Sequence, residues 1–432
     1  MRAKTVIIGG GAVGLSIALH SARRADALKD PVMLLESGDI GSGPAARSGA
    51  VLHQFHGSLN TAGMARDSLR YYQGIQSRTG RSLGFVQTGV LTLAKSRTPQ
   101  HLEKLKKLVQ LHDSMGIEVR CLDASAMRTL VPGLTVSDDA IGAWEPTAGC
   151  LDAHLSIEAL CTLARNRGAI VRARTPVQRI VIEEGRVTGV ETVNGRITCD
   201  QVVIAAGPWS GRLLKPLGIK LPLQGVRAEH GFIGSTDHAT VSTREGGAYA
   251  HAGPEDSGAT GFYSDSLRAG NTFEDEVDDH FDQDSTPLRA NHPVLIDPEQ
   301  GFYVRCDPLH SRALIGRRGR AGFLDIEDPD KFQDRVGEDF TAWARVCLEA
   351  RLPIYADVHD VGAESGMFTM TPDNQPLLGA VASVPGMYVA CAFSGHSFTL
   401  APSVGEGMAQ MLNGEPVSAF DTEVFSPQRY LN

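Results

Sequence analysis

Residues 5–14 read Thr5-Val6-Ile7-Ile8-Gly9-Gly10-Gly11-Ala12-Val13-Gly14, and Pro31-Val32-Met33-Leu34-Leu35-Glu36 follows about one helix later. The β-branched run at 5–8 has the composition of a buried parallel strand. From Leu15 to Ala25 the apolar residues Leu15, Ala18, Leu19 and Ala22 recur at helical spacing. The segment at 31–36 is a second apolar strand ending in an acid. Together they make a β-α-β unit whose first turn is Gly9-x-Gly11-x-x-Gly14. Gly9 permits the turn, Gly11 lets backbone approach a pyrophosphate, and Gly14 packs helix on strand. The helix N-terminus favours phosphate charge, and Glu36 can accept from ribose hydroxyls. A bound dinucleotide is expected.

Working outward, the 432 residues are too many for one simple core and fit two joined domains. The chain is 42% hydrophobic and 21% charged, an ordinary globular composition that excludes disorder or a fibre as the default. Its 47 glycines exceed the roughly 7% average, which points to tight turns and close ligand contacts. A net charge of -9 argues against a broad nucleic-acid-binding face. No apolar run approaches the roughly 18 residues of a membrane span. The first strand is expected to start at once, leaving no room for a signal peptide, and the seven cysteines are scattered, odd in number and without a C-x-x-C pair. A disulfide scaffold and a metal site are not expected, and a cytoplasmic location is.

Further along, residues 40–60 form a long loop entering a helix, and helices are expected over 100–115 and 155–167. Strands are expected at 169–172, 177–182, 201–206, 303–305, 313–316 and 387–392, with a hairpin about Asn194-Gly195 and a last helix over 400–411. Between about 253 and 286 the chain carries ten acids and one base, Arg268, and is expected to be a solvated surface excursion.

Six segments run in order along the chain: Ile40-Gly41-Ser42-Gly43 to Val51-Leu52-His53; Trp144-Glu145-Pro146-Thr147-Ala148-Gly149; Val202-Val203-Ile204-Ala205-Ala206-Gly207-Pro208-Trp209-Ser210; Gly301-Phe302-Tyr303-Val304-Arg305; Met370-Thr371-Pro372-Asp373-Asn374-Gln375-Pro376; and Ser394-Gly395-His396-Ser397-Phe398. In them the chain resembles the D-amino-acid oxidase superfamily of FAD-dependent oxidoreductases, nearest the sarcosine oxidase β-subunit and dimethylglycine dehydrogenase type. The resemblance implies an α/β fold: an FAD-binding, Rossmann-like domain of the glutathione-reductase type over 1–82, 148–221 and 361–432. It is interleaved with a substrate domain of mixed antiparallel sheet and helices over 83–147 and 222–360.

It also implies FAD contacts at Gly9, Gly11, Ala12, Val13, Gly14, Glu36 and Ser37. Ser42, Ala46, Arg47, Ser48 and Val51 should lie over the diphosphate and flavin, and Val177 against the adenine. Ala206, Gly207, Trp209, Gly366, Gly395, His396, Ser397, Phe398 and Thr399 complete the set. The implied activity is oxidation of a C–N bond in a secondary amine or amino acid by hydride transfer to flavin N5, giving an imine that hydrolyses. Alternatives on the same fold are oxidation of a 2-hydroxy acid or polyol, and a non-catalytic FAD subunit of a larger complex. Homo- or hetero-oligomers fit either course.

Departures from the family pattern matter as much. The carboxylate-clamping arginine of the D-amino-acid and glycine oxidase branch falls on Phe368. The arginine and lysine of monomeric sarcosine oxidases fall on His53 and Thr399. Remaining cation candidates are Arg47, Arg227 and Arg305, with His53, Tyr303, Arg305 and His396 as candidate catalytic residues. The family's covalent flavin attachment points fall on Gly366 and Arg47, so FAD is expected to be non-covalent. The lysine that promotes reaction with oxygen falls on Leu314, which favours a dehydrogenase or another electron acceptor over an oxidase.

Overall fold

A computed structural model describes residues 1–26, 29–94, 98–234, 292–307 and 312–431. The acidic stretch at 253–286 lies outside them. The first β-α-β unit forms as expected. Strand Thr5–Ile8 sits centrally in a six-stranded sheet, parallel to Val32–Leu35 on one side and to Gln201–Ile204 on the other. Ile170–Arg172 and Met387–Cys391 extend it in parallel, and Leu377–Ala380 closes one edge antiparallel. Parallel strands need both faces covered, and every residue of Thr5–Ile8 and Val32–Leu35 is buried.

The first helix begins at Ala12, three residues before the apolar periodicity starts, and ends at Ala22. Gly11 is its N-cap, which brings Gly14 inside the first turn. A Cβ at Gly14 would stand 2.0 Å from the carbonyl oxygen of Gly9, so only glycine lets helix and turn close. This helix is buried on every side between the helices Ala153–Asn166 and Ser397–Leu412.

A nine-stranded sheet forms the second layer. Gln224–Gly234, Arg312–Arg317, Phe302–Asp307 and Val294–Asp297 run antiparallel in that order, and Val90–Leu93, Ile141–Glu145 and Arg120–Asp123 continue the sheet. Several of these strands are short or mix glycine, charge and apolar residues without clear alternation, so the sequence leaves them unmarked. The strand His359–Met370 pairs along Gln224–Gly234, so the boundary expected at 360/361 falls inside a strand of this sheet. Phe302, Val304, Ile315, Phe340 and Tyr355 pack its outer face into a separate core.

Residues 327–337 lie between strand Leu324–Ile326 of this sheet and helix Glu338–Arg351 and reach back to the parallel sheet. Asp328 and Asp330 pair with Arg212, Asp330 accepts from Trp209 Nε1 at 2.7 Å, and Asp334 pairs with Arg47 at 3.0 Å.

Candidate active site

Two cavities adjoin between the sheets, and Pro44, Phe368, Gly395 and Ser397 line both. The first, of about 530 Å³, runs along the carboxyl ends of the parallel strands. Gly9 to Val13, Glu36, Ser37, Ser42, Val177, Ala206, Gly207 and Trp209 line it. Gly9 has φ +116, and a Cβ there would stand 2.4 Å from the carbonyl oxygen of Ala205. Gly11 is open, with only Ala45 Cβ, at 3.8 Å, near its missing side chain. The helix that follows has no side-chain cap and no acid in its first turn. Its free N–H groups and positive dipole end are left for an anion. Glu36 accepts from Gly10 N at 2.6 Å and Gly38 N at 2.9 Å, which fixes its carboxylate on the cavity wall. An open glycine turn, an uncapped helix and a fixed acid at the next strand end together fit a dinucleotide such as FAD.

The last helix repeats this device. Its N-cap, His396, makes no side-chain cap bond, and no acid occupies the first turn. Ala392, Ser394 and Gly395 before it all have positive φ, at 61°, 51° and 87°. Such strain concentrates where backbone must be aimed at a ligand.

The second cavity, of about 400 Å³, lies under the large sheet. Tyr303 and His230 stand side by side on neighbouring strands of Arg312–Arg317, both opposite Gly316. A Cβ at Gly316 would be 2.5 Å from the Tyr303 ring and 2.7 Å from His230, and one at Gly49 would be 2.1 Å from the Tyr303 hydroxyl. Two glycines thus make room for the phenol. Its hydroxyl is 2.8 Å from His230 Nε2. Burial pushes the phenol above its usual range and, with the Arg305 charge adding, lowers His230 to about 4.

Arg318 was not singled out from the sequence. It lines this cavity, yet its guanidinium makes no hydrogen bond or ion pair with any described residue. Burial lowers its proton affinity, opposed by Tyr303 and Glu145. The other cations are engaged. Arg47 pairs with Asp334 at 3.0 Å, Arg227 with Glu229 at 3.2 Å, and Arg317 with Glu229 at 3.3 Å. Arg305 lies on the same strand face as Tyr303 but lines neither cavity. Its guanidinium turns to Cys306 O at 3.3 Å and Cys150 Sγ at 3.9 Å. The signal for Arg318 was the alternation Leu314, Gly316, Arg318, which continues the face that Tyr303 shares.

His396 lines the second cavity, and burial, then the Arg318 charge, lowers it to about 4. His53 is buried behind the cavity wall and is held neutral by burial and by His56, Arg318 and His396. Ser48 and Gly366 also line this cavity. Ala46, Val51, Phe398 and Thr399 line neither and act as supports: Thr399 Oγ1 donates to Val51 O at 3.1 Å, and Phe398 O accepts from the Tyr72 hydroxyl at 2.8 Å. Leu314 is buried.

A glycine-turn dinucleotide cavity opening into a polar chamber under an antiparallel sheet is the plan of a two-layer flavoprotein oxidoreductase. The chain belongs to the DAO family of FAD dependent oxidoreductases, which matches residues 4–411. It is 25% identical to the mitochondrial dimethylglycine dehydrogenase of Rattus norvegicus over 99% of this chain and 45% of that protein, so the chain spans under half of that relative's length. Monomeric sarcosine oxidase from Bacillus sp. (strain NS-129) is 22% identical, with 98% of this chain and 96% of that protein covered. Among solved structures, L-proline dehydrogenase from P. horikoshii shares the fold, with TM-score 0.79 and 22% identity, covering 100% of this chain and 98% of that one. Among the described residues no helix is long and apolar enough to cross a membrane.

Proposed function

We propose that this chain oxidises a C–N bond of a secondary amine or amino acid that carries a carboxylate, using FAD bound in the larger cavity. The observation that carries this proposal is Arg318, a cation without a protein partner in a chamber whose other arginines, Arg47, Arg317 and Arg320, are each paired with an acid. A half-buried guanidinium of this kind is suited to a bidentate carboxylate. Named activities of the relatives, on dimethylglycine, sarcosine and proline, support the substrate class.

FAD would supply the acceptor for a hydride from the carbon next to nitrogen. The chain's own residues would do the rest. Arg318 fixes the carboxylate and therefore the position of the adjoining carbon. With His230 Nε2 unprotonated, the Tyr303 hydroxyl donates to it and keeps a lone pair that can accept an N–H of the substrate. An amine loses hydride only when its nitrogen is neutral, and a site without a carboxylate beside that nitrogen favours the neutral form. The uncapped N-terminus of the last helix stabilises negative charge arriving at the junction of the two cavities. Oxidation of a hydroxy acid would instead call for a base at the alcohol, and His53, the residue expected for it, is walled off from the chamber.

Non-covalent attachment is part of the proposal, since Gly366 and Arg47 stand at the expected attachment positions and no cysteine is among the described residues lining either cavity. Acid precipitation should leave the yellow colour in the supernatant, and colour in the pellet would overturn this. The functional test is anaerobic bleaching of the flavin by panels of N-methyl amino acids, D-amino acids, cyclic imino acids and 2-hydroxy acids. Bleaching by an amine panel is expected. Bleaching by hydroxy acids alone sinks the amine assignment, and no bleaching by any panel points to a non-catalytic subunit. Slow recovery of the reduced flavin in air is expected, because Leu314 leaves no cation at the oxygen-activating position.

A further inference from the structure

Three imidazoles meet behind the inner wall of the substrate chamber. His53 and His56 follow the short strand Val51–Leu52, and His396 caps the last helix. Their ligand nitrogens all lie within 4.8 Å of one another. Ring centroids are 4.3 Å apart for His53 and His56, and 5.0 Å for His56 and His396. Only His396 reaches the chamber, so the cluster opens through it.

Packing alone does not account for how the rings are held. His56 Nε2 lies 3.1 Å from the carbonyl oxygen of His53. The carbonyl of Phe55 stands near His53, and those of Phe393 and Ser394 near His396, where each favours a ring N–H. His56, by donating one N–H to a carbonyl, keeps a bare lone pair on its other nitrogen, which is how metal-binding histidines are oriented. His53, only 4% exposed, leaves Nδ1 with no hydrogen-bond partner. An unmet buried acceptor is costly, and a bound cation would satisfy it. Burial also keeps the three rings neutral, the state in which they coordinate.

Two ionisable groups frame the cluster. Glu145 is fully buried and accepts from Gln54 N at 2.6 Å and Phe55 N at 3.0 Å, the two residues between His53 and His56. Its other oxygen has no partner. Arg318 opposes protonation of all three histidines. A charge that repels a proton also repels a metal ion, so it would hold the affinity down.

We propose that His53, His56 and His396 form a weak site for a borderline divalent cation such as zinc, reached from the substrate chamber and opposed by Arg318. All-imidazole donors select such ions over calcium or magnesium, which prefer oxygen. The proposal does not depend on the amine-oxidising assignment, because binding is measured without substrate. FAD-loaded protein is dialysed to equilibrium against zinc, and bound metal is counted by atomic emission. About one zinc ion per chain is expected, with no uptake of magnesium under the same conditions. His56→Gln should weaken binding about tenfold or more. Arg318→Met should tighten it, in protein that keeps its flavin, because a like charge is gone. That second variant covers the case in which His56→Gln fails to fold. No zinc uptake, or uptake that neither substitution changes, overturns the proposal.

Discussion

The two adjoining cavities are built in opposite ways. The dinucleotide cavity is made by backbone: a glycine turn, two uncapped helix ends and one fixed carboxylate, with the turn, the first helix end and the carboxylate all within residues 9–36. The substrate chamber is made by side chains from Gln224–Gly234, Phe302–Asp307, residue 318 and residues 394–397. A ligand held by backbone is encoded where the chain turns. A ligand held by side chains is encoded by which strands become neighbours, and that is a property of topology.

Breaking the first cavity should have the largest effect. Gly14→Ala would force a methyl to 2.0 Å from a carbonyl oxygen. The cost exceeds the about 1–3 kcal/mol of ordinary overpacking, because backbone cannot rotate away. The purified variant should carry no FAD by absorbance, and a normally yellow protein would show that the turn can relax.

Next comes the chamber's cation. Arg318→Met should lower kcat/KM on the carboxylate substrate by about 2–5 kcal/mol, roughly thirtyfold or more, as for loss of one partner of a buried charge pair. The same variant should lose far less on the corresponding amine without a carboxylate. Equal losses on both would remove Arg318 from substrate binding.

A third test separates stability from binding. Burial raises Glu145 to about 7 from 4.5. Between those values the folded chain holds more protons than the unfolded one, so stability falls as pH rises through the window. Glu145→Gln removes that loss, at most about 3 kcal/mol. Its Tm relative to the unaltered protein should climb from about pH 5 to about pH 8. His230 and His396, lowered to about 4, work in the other direction, with stability lost as pH falls from about 6.5 toward 4. A Tm difference that does not vary with pH would mean Glu145 is not held protonated.

The smallest effect belongs to the ribose acid. Glu36→Ala should weaken FAD binding about tenfold, in line with about 1.5–3 kcal/mol for a hydrogen bond to a charged group. Fluorescence titration of the apoprotein measures it, and unchanged affinity would mean Glu36 serves only Gly10 and Gly38.

The same contrast explains how far the sequence could be read. The parallel sheet was legible because buried strands are continuous apolar runs and the glycine turn has fixed spacing. Glu36, Val177, Gly207 and Gly395 all line the larger cavity. The strands Gln224–Gly234 and His359–Met370 were not legible, since they mix glycine, charge and apolar residues without clear alternation. His230 therefore went unnoticed although it touches Tyr303. Arg305 was favoured because its spacing from Tyr303 gives the right face, but the same face continues past the chamber to Cys150 and Cys306. Arg318 stands just beyond the strand's last residue, Arg317, where strand periodicity no longer marks its face.

The acidic strap at 328–334 bears on how the protein exchanges its cofactor. Asp330 and Arg212 border the dinucleotide cavity, and Arg47 borders the chamber. The ion pairs that tie Asp328, Asp330 and Asp334 to these arginines are partly open to water. Each such pair is worth about 0–1 kcal/mol and is screened by salt. The strap is therefore a clasp rather than a weld. FAD dissociation, followed by its fluorescence, should quicken with ionic strength while the fold stays intact, so that loading and loss of cofactor are governed by the solution outside the protein.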